Sequence, residues 1–486
     1  MNSGEANNRL RIALKAELQR NFGRIAEIER ELSRSDGYLS KFCRGELSIP
    51  LDVFLKSLEL LNTHPGRFFG RALGSPLDPG VFLRDIAAES PEKPLARIQK
   101  AIDQLALDAH SVEDASGVFM NPFSSATIEK DQHLVEAILK CSRIEQKRRL
   151  KTAKRYRSPG FVELYLKDLI QLCYDDPRTV TRLAETVATD LIPEIPDLAP
   201  EDRLALALKA LSLFGFSLRM IDRLEQSAAA TYYGLRISSR FRMLTIQGEL
   251  LRLGAYLLSD HGSSQEALQL LGQAVVIFDE LDREIDVAKV QVQRGIVFNE
   301  LGDYLSATRA LRKSLRRLPQ SDSSVSRYRN AAYGELAHAS RHAGDLDACE
   351  QWLDKYLHSL DATSGVFVQA KVIWEQGRLH HERNLPDAAE RCLIEARDLL
   401  FSCESPDAIF VCLDLVRLWL EQHRFQEAVE LSEGMARFLT HVRKNKVQEA
   451  ALLSYIRAAG EGKLSLMMVE VLEKAMGERS ISRLSA

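Results

Sequence analysis

The densest group of chemically active side chains in the sequence is a run of cations between residues 143 and 157. Eight Lys or Arg residues stand there against one acid, Glu145. A helix of this composition presents positive charge on nearly every face, which suits phosphate groups of DNA or RNA. The same cations could instead pair with Asp175, Asp176 or Glu194. Both interpretations are open, and they concern above all Lys147, Arg148, Arg149, Lys151, Lys154 and Arg155.

Histidine placement raises the question of a metal site. His338 and His342 are four residues apart, so a helix would place both imidazoles on one face, as metal ligands require. No third ligand is evident near them, and His380-His381-Glu382 lacks the second histidine of the HExxH motif. We also find no phosphate-binding loop, no GxGxxG, no GxSxG and no Cys-His-Asn arrangement. We therefore expect no metal, no cofactor and no catalytic activity.

Composition indicates a mostly helical chain of ordinary charge. The 486 residues include 65 Lys or Arg and 68 Asp or Glu, a formal net charge of -3, which excludes a uniformly basic or acidic chain. Aromatic residues make up only 7% while Leu, Ala, Glu and Arg are abundant. This balance favours helices over β-sandwich cores.

Cysteine usage and hydropathy predict a cytoplasmic protein without membrane association. The seven cysteines are an odd number and form no CxxC pair, which fits a reducing compartment. Charged residues, Glu5 and Arg9, precede any apolar run long enough for a signal peptide. The longest apolar stretch, 204–218, contains Lys209 and is shorter than the roughly 20 residues that cross a bilayer.

The second half of the chain repeats itself. Small residues recur at intervals of 39 to 42 residues, at Ala267, Ala307, Cys349, Ala389 and Ala428. Within 288–319, the small, aromatic, turn and closing positions of a helix-turn-helix unit are held by Gly295, Phe298, Gly302, Tyr304, Ala307, Leu311 and Pro319. This pattern resembles the tetratricopeptide repeat, with longer loops. It predicts a solenoid of paired helices, whereas the alternative is a helical bundle with accidental Ala spacing.

The resemblance to tetratricopeptide arrays implies a binding groove. In that family the first helix of each unit lines a concave surface, and the inward positions here are basic and partly aromatic. Such a surface suits an extended peptide that carries carboxylates. Acidic residues such as Glu300 and Glu382 also fall there, so the charge is mixed. The implied partner groove consists of Arg252, Tyr256, Lys289, Asn299, His338, Arg341, His342, Lys371, Trp374, Arg378, His381 and Arg417.

Residues 1–73 form a separate module of short helices. Capping residues and apolar spacing predict helices at 10–22, 24–32 and 35–42, a fourth opened by Ser48-Ile49-Pro50 and a short fifth. The stretch 37–46 followed by Ile49-Pro50-Leu51 resembles the Cro and lambda-repressor (XRE) type of helix-turn-helix domain. In that family the third helix enters the major groove. The resemblance implies a core of Ile28, Leu32, Leu39 and Phe42 and DNA contacts from Arg34, Ser35, Asp36, Gly37, Ser40, Lys41 and Arg44.

The module departs from the family pattern in its second helix and turn. Glu29 stands where the family usually has Ala, and Ser33-Arg34 stand where it has Gly and an aliphatic residue. Another register takes Ile25-Ala26 as the matching pair and lengthens the turn. The module carries twelve cations against nine acids, enough for a few phosphate contacts, so a dimer would help. The alternative is a fold kept only for packing or protein contact.

Together these patterns predict an all-α protein in four parts. They are the XRE-type module at 1–73, a hinge and basic helical linker at 74–157, the repeat array at 158–443 and capping helices at 444–486. We expect a bacterial-type transcriptional regulator, homodimeric, that binds double-stranded DNA and takes a peptide or protein partner in its array. The alternative is an adaptor in which both parts contact proteins.

Overall fold

The chain is helical throughout the part that its computed structural model describes. That part comprises residues 25–32, 37–44, 51–60, 80–84, 92–110, 125–320, 325–360, 365–403, 407–439 and 446–476, with positions 11, 14, 46, 86, 87, 322 and 405. These residues contain no strand, and successive helices pack in pairs, which confirms the predicted all-α solenoid class. No helix among them is long and apolar enough to cross a membrane. The chain divides into two compact units, Met1–Gly262 (unit 1) and Ser263–Ala486 (unit 2).

Unit 1 contains a group of short helices, a connector and a set of longer helices. The short helices are α1 (Ile25–Glu31), α2 (Tyr38–Arg44) and α3 (Leu51–Leu60). The connector and basic segment contain α4 (Gly80–Arg84), α5 (Lys93–His110), α6 (Ser125–Leu139) and α7 (Arg143–Thr152). The longer helices are α8 (Pro159–Asp175), α9 (Pro177–Thr186), α10 (Pro200–Met220), α11 (Leu224–Arg240) and α12 (Leu244–Asp260).

Unit 2 consists of consecutive helices of similar length. They are α13 (Ser264–Glu280), α14 (Glu284–Glu300), α15 (Tyr304–Arg317), α16 (Ser326–His342), α17 (Leu346–Ser359), α18 (Val366–Glu382), α19 (Pro386–Ser402), α20 (Ala408–Glu421), α21 (Phe425–Leu439), α22 (Lys446–Gly460) and α23 (Leu466–Met476). The pairs α14 with α15, α16 with α17, α18 with α19 and α20 with α21 correspond to the first and second helices of the repeats. Two helices, α22 and α23, lie within 444–486, where the sequence predicts capping helices.

Most turns between the longer helices share one backbone pattern. A residue with positive φ follows the helix, and the next N–H donates to the carbonyl five residues earlier, as from Asp303 to Phe298 (2.9 Å). Glycine adopts this conformation at little cost, whereas other residues are strained there. Only four of the nine turn residues are glycine, so the sequence alone marks fewer turns than the fold contains. The nine are Asp222, Arg242, Gly262, Asp282, Gly302, Gly344, Asn384, His423 and Gly462.

Small residues bring the helices of each pair close together. The predicted repeat positions Ala267, Ala307, Cys349, Ala389 and Ala428 are all fully buried, which confirms the repeat spacing. A Cβ atom on Gly295 of α14 would lie only 2.4 Å from Cγ of Leu311 on α15. The α14 and α15 backbones therefore approach more closely than a side chain at position 295 would allow.

The described helices of the front module enclose the predicted core. Ile28, Leu32, Leu39 and Phe42 are buried, and the Phe42 ring packs edge-on against Phe54 at 5.7 Å. The prediction of this core is confirmed. The third predicted helix was placed too early in the sequence, because α2 begins at Tyr38 and not at Ser35. Gly37, which precedes it, has a φ of +77° and cannot belong to a right-handed helix.

The connector after the front module is anchored to the longer helices of unit 1. Phe82 and Leu83 of α4 are fully buried, and α4 packs against α11 and α12. Farther along, the Tyr233 hydroxyl on α11 donates to Asp103 on α5 at 2.7 Å. The short segment expected to sit within a hinge is therefore held in place. The four predicted domain boundaries stay predictions.

Candidate functional site

Polar contacts join the first helix of one repeat to the first helix of the next. The Asn299 side chain on α14 donates to the backbone carbonyl of Glu335 on α16 at 3.0 Å and to its Oε2 at 2.6 Å. Both residues are buried. Asn299 was implied as a groove residue by the sequence, but its amide is engaged with the neighbouring repeat.

A buried carboxylate between two guanidinium groups joins α16 to α18. Glu375 is 1% exposed and lies 3.3 Å from Arg341 Nε and 3.2 Å from Arg378 Nη1. Burial by itself raises the pKa of Glu375, but the two guanidinium groups outweigh it and hold the pKa at about 2. Arg341 also pairs with Glu382 at 2.5 Å. Glu375 is therefore charged in the folded protein at all ordinary pH values.

Three further contacts join α18 to α20 and to Asp407, the residue that precedes α20. Lys371 is 2% exposed and pairs with the equally buried Asp407 at 2.5 Å. Asp414 accepts from Trp374 Nε1 at 2.6 Å and from Arg378 Nε at 2.7 Å. The Trp374 ring is 1% exposed, with the Lys371 ammonium and the Arg378 guanidinium 4.7 and 4.3 Å from its centroid. Trp374 was implied as a groove residue, but its indole is in contact with side chains of its own chain.

The remaining groove residues that the sequence implied are also in contact with neighbours. His381 lies 2.6 Å from Glu421, Arg417 pairs with Glu473, and Lys289 pairs with Asp286 at 2.9 Å. In unit 1, Tyr256 is buried under the guanidinium of Arg219, while Arg252 is half-buried.

We call those of these contacts that join one repeat of unit 2 to the next the inter-repeat ladder: Asn299–Glu335, Arg341–Glu375, Arg341–Glu382, Lys371–Asp407, Trp374–Asp414, Arg378–Asp414, His381–Glu421 and Arg417–Glu473. The sequence pattern predicted that these groove residues lie on neighbouring helices, but it did not show that they bind side chains of the same chain. Their role in partner binding stays a prediction.

The two histidines predicted to share a helical face do so. The rings of His338 and His342 lie 4.4 Å apart, and Tyr304 stacks on His342 at 5.0 Å with nearly parallel planes. Burial lowers the pKa of His338 to about 3, and the attraction of Glu375 does not offset it. Among the described residues no group of three or more His, Cys, Asp or Glu is placed to hold a metal ion. His338 is therefore a neutral, buried ring.

His338 is expected to make unit 2 less stable as the pH falls. Its folded pKa of about 3 lies below the ordinary 6.5, so below pH 6.5 the unfolded chain binds a proton that the folded chain does not. The contribution is fully present above 6.5 and is lost by about 1.4 kcal/mol per pH unit below it. His338→Gln should flatten this slope in urea unfolding between about pH 5 and 7, whereas the exposed-site control His358→Gln should keep it. Equal slopes in wild type and His338→Gln would contradict this assignment.

The α2 helix has one buried and one exposed side. Leu39 and Phe42 are buried, Ser40 is half-buried, and Lys41 and Arg44 are exposed. The predicted DNA contacts at Ser40, Lys41 and Arg44 thus lie outside the core, and Gly37 is half-buried. The other three predicted contacts lie outside the described residues: Arg34, Ser35 and Asp36.

Glu29 fixes the beginning of α2. Its carboxylate is buried and accepts from the backbone N–H of Gly37 at 2.6 Å and of Leu39 at 2.8 Å. These N–H groups have no partner within the helix, and a carboxylate at a helix N-terminus is also favoured by the helix dipole. Glu29, which stands where the XRE pattern usually has Ala, is therefore a cap that joins α1 to α2.

The basic segment forms α7 and a following turn, and most of its cations are paired. Glu145 accepts from Arg148 at 2.7 Å and from Arg149 at 2.6 Å, and these hydrogen bonds lower the pKa of Glu145 to about 2. Gln146 and Leu150 are buried, and α7 packs against α9 within unit 1.

Acidic residues from neighbouring segments pair with other cations of the run. Arg143 pairs with Asp176, Lys151 with Asp190 at 3.2 Å, and Arg157 with Glu194 at 3.4 Å. Pairing with Asp176 and Glu194 was one of the two interpretations left open by the sequence, and it occurs. The exposed Lys147 and Lys154 form no ion pair with another described residue, and the Arg155 guanidinium lies over the Tyr156 ring. Phosphate binding by this segment stays a prediction.

Comparison with known proteins assigns no family. No protein family model matches the sequence, and no curated protein matches it. Among solved structures, the chain is similar to BtubC (BKLC) from P. vanneervenii, with 15% identity and a TM-score of 0.35. The alignment covers 52% of this chain and 92% of that one. A similarity this distant carries no functional argument.

Proposed function

We propose that the protein is a DNA-binding regulator whose repeat array engages a protein partner. The observation that supports the first half is the two-sided α2 helix. Leu39 and Phe42 hold its inner side in the core, while Lys41 and Arg44 are exposed. A recognition helix needs this division, because the buried side positions it and the exposed side contacts bases and phosphates.

The capping contact supports the same role. Glu29 ties the first residues of α2 to α1, so the helix is presented in a fixed orientation. Arg44 pairs with Glu46 at 2.5 Å in an exposed position. Because exposed ion pairs contribute little to stability, a DNA phosphate can replace Glu46 as the partner of Arg44.

Removing the two exposed cations of α2 is expected to abolish most DNA binding. In gel-shift titrations on genomic fragments, Lys41→Ala/Arg44→Ala should bind at least about tenfold more weakly than wild type. The slope of log K against log salt concentration should become less steep, by the amount expected for the loss of about two phosphate contacts. Lys56→Ala/Lys93→Ala removes the same charge from exposed positions outside α2 and should leave binding close to wild type. Binding by the α2 variant at wild-type strength would remove the front module from DNA recognition.

A second candidate function, an adaptor that contacts only proteins, is favoured by a different observation. The charges of the first helices and most of those of α7 pair within the chain, so they serve packing in the unbound protein. Salt dependence separates the two candidates, because nucleic-acid binding weakens steeply with salt whereas protein contact varies less. An adaptor would retain its partner in the Lys41→Ala/Arg44→Ala variant and would bind no genomic fragment.

A further inference from the structure

The α15 helix carries exposed cations that form no ion pair with a described residue, although Arg309 helps to lower the pKa of Asp303, the residue before the helix. Arg309, Arg312, Lys313 and Arg316 follow the spacing i, i+3, i+4 and i+7, so they lie on one helical face. None of the four forms an ion pair or hydrogen bond with another residue of the described chain. The sequence of α15 contains no acid. We call these four residues the α15 stripe.

An aromatic residue of the next repeat borders the stripe. The Arg312 guanidinium lies 5.8 Å from the ring centroid of Trp352 on α17, and the ammonium of the exposed Lys355 lies 4.1 Å from it. Tyr333 stacks on the same ring at 6.1 Å. Lys355 therefore extends the positive surface from α15 to α17, with Trp352 holding the two helices' cations in place.

The stripe has a cost that internal packing does not explain. Like charges three and four residues apart on a helix repel one another. The helix dipole favours cations in the last turn, which accounts for Arg316 but not for Arg309 or Arg312. The ladder cations of the first helices, by contrast, each have a carboxylate partner. A ligand that brings carboxylates or phosphates would remove the repulsion within the stripe.

Acidic residues on both neighbouring helices limit the width of this ligand. Asp279 and Glu280 are exposed on α13, and Asp354 is exposed on α17. Asp279 lies 3.8 Å from Arg317, which places the acids of α13 directly beside α15. The stripe is thus one helix wide and about 10 Å long. A duplex, whose major groove alone is about 12 Å wide, would bring phosphates against these acids.

We propose that the α15 stripe is the docking site for an acidic helical segment of a partner protein. Asp or Glu residues spaced i, i+3, i+4 and i+7 on that segment would face the four cations, because two helices side by side have the same repeat along their axes. This inference rests on the protein-binding half of the proposed function and not on DNA binding. It places the partner on a second helix of the array and not on the first helices, whose charges are paired.

The test uses the full-length protein and a defined probe. The probe is a fluorescein-labelled alanine-based helix of about 16 residues with Glu at i, i+3, i+4 and i+7, titrated at low salt and followed by anisotropy. Arg309→Gln/Arg312→Gln/Lys313→Gln/Arg316→Gln should bind it at least about tenfold more weakly than wild type. Because all four side chains are exposed, this variant should keep the circular dichroism spectrum of wild type.

A matched variant separates the stripe from net charge. Lys93→Gln/Lys100→Gln/Lys140→Gln/Lys167→Gln removes the same charge from exposed positions of unit 1 and should bind the probe within about twofold of wild type. Changing the four stripe residues to Glu should abolish binding of the acidic probe and create binding of a probe with Lys in place of Glu. Equal weakening in both Gln variants would overturn the proposal.

Nucleic acid is the other ligand that the test distinguishes. The assignment to an acidic protein would be overturned if a duplex of unrelated sequence displaced the probe and if binding of that duplex were lost in the stripe variant but kept in the matched variant. The experiments can also refute the proposal for the stripe and the proposal for DNA recognition independently of each other. The stripe variant should still shift genomic fragments, and Lys41→Ala/Arg44→Ala should still bind the probe.

Discussion

Replacement of Glu375 by alanine is expected to destabilise unit 2 by about 3 kcal/mol, one of the largest effects of any single change. The substitution leaves Arg341 and Arg378, which are 7% and 14% exposed, without the carboxylate between them. Removing one partner of a buried ion pair typically costs about 3–5 kcal/mol. The lower value is expected here, because Arg341 keeps Glu382 and Arg378 keeps Asp414.

Tryptophan fluorescence isolates this effect in the full-length chain. All three tryptophans, Trp352, Trp374 and Trp419, belong to unit 2, so urea unfolding followed by their emission reports on that unit. Glu350→Ala is the matched control, because Glu350 also pairs with an arginine but is half exposed. Its midpoint should remain near that of wild type. Similar midpoints for the two variants would show that Glu375 is not the centre of a buried charge network.

Gly295→Ala is expected to destabilise the same unit by about 2 kcal/mol. Alanine is the better helix former, so helix propensity alone predicts a gain of about 1 kcal/mol. The new methyl group, however, would lie 2.4 Å from Cγ and 2.5 Å from Cδ2 of Leu311, which is fully buried and cannot move aside without displacing its neighbours. Overpacking of this kind costs about 1–3 kcal/mol and reverses the sign of the propensity effect.

A second glycine in the same unit provides the opposite expectation. Gly272 lies within α13, and a Cβ there would meet no atom within 4 Å. Gly272→Ala should therefore stabilise unit 2 by about 0.5–1 kcal/mol in the same urea titration. If both alanine variants changed stability in the same direction, the close approach of α14 and α15 would not be the reason for glycine at 295.

Much of the fold could be predicted because the repeat leaves a periodic pattern of small residues. Ala267, Ala307 and Cys349 mark the crossing points of helix pairs, and all three are buried where the pattern placed them. The turns were less visible, because residues such as Arg242 and His423 adopt positive φ where the sequence signal is glycine. Neighbouring helices hold these residues in a strained conformation that local preference does not reveal.

The candidate sites were predictable as sets of residues but not as contacts. Arg341 and Trp374 were expected to face a ligand, yet they bind Glu375 and Asp414. A sequence signal existed, because Arg378 and Asp414 are opposite charges separated by 36 residues, close to one repeat. Such a pair is informative only once the repeat length is known.

The α15 stripe was missed for a related reason. Local charge density drew attention to 143–157, where the cations are in fact largely paired with acids distant in sequence. The five cations of α15 are interspersed with buried residues such as Leu311 and Ser314, so they stand out only when the helix face is known. Which charges remain unpaired is a property of the tertiary structure.

Because of the inter-repeat ladder, the sequence specifies the order in which its repeats stack. In an array held together by apolar seams alone, modules can be exchanged, duplicated or deleted, because every neighbour presents the same surface. Here the module containing Lys371 fits only beside one that supplies Asp407. A chain without that module would leave the buried carboxylate of Asp407 without its ammonium partner, and an unpaired buried charge is far more costly than a lost surface contact. The buried ion pairs thereby fix the number of repeats in the array.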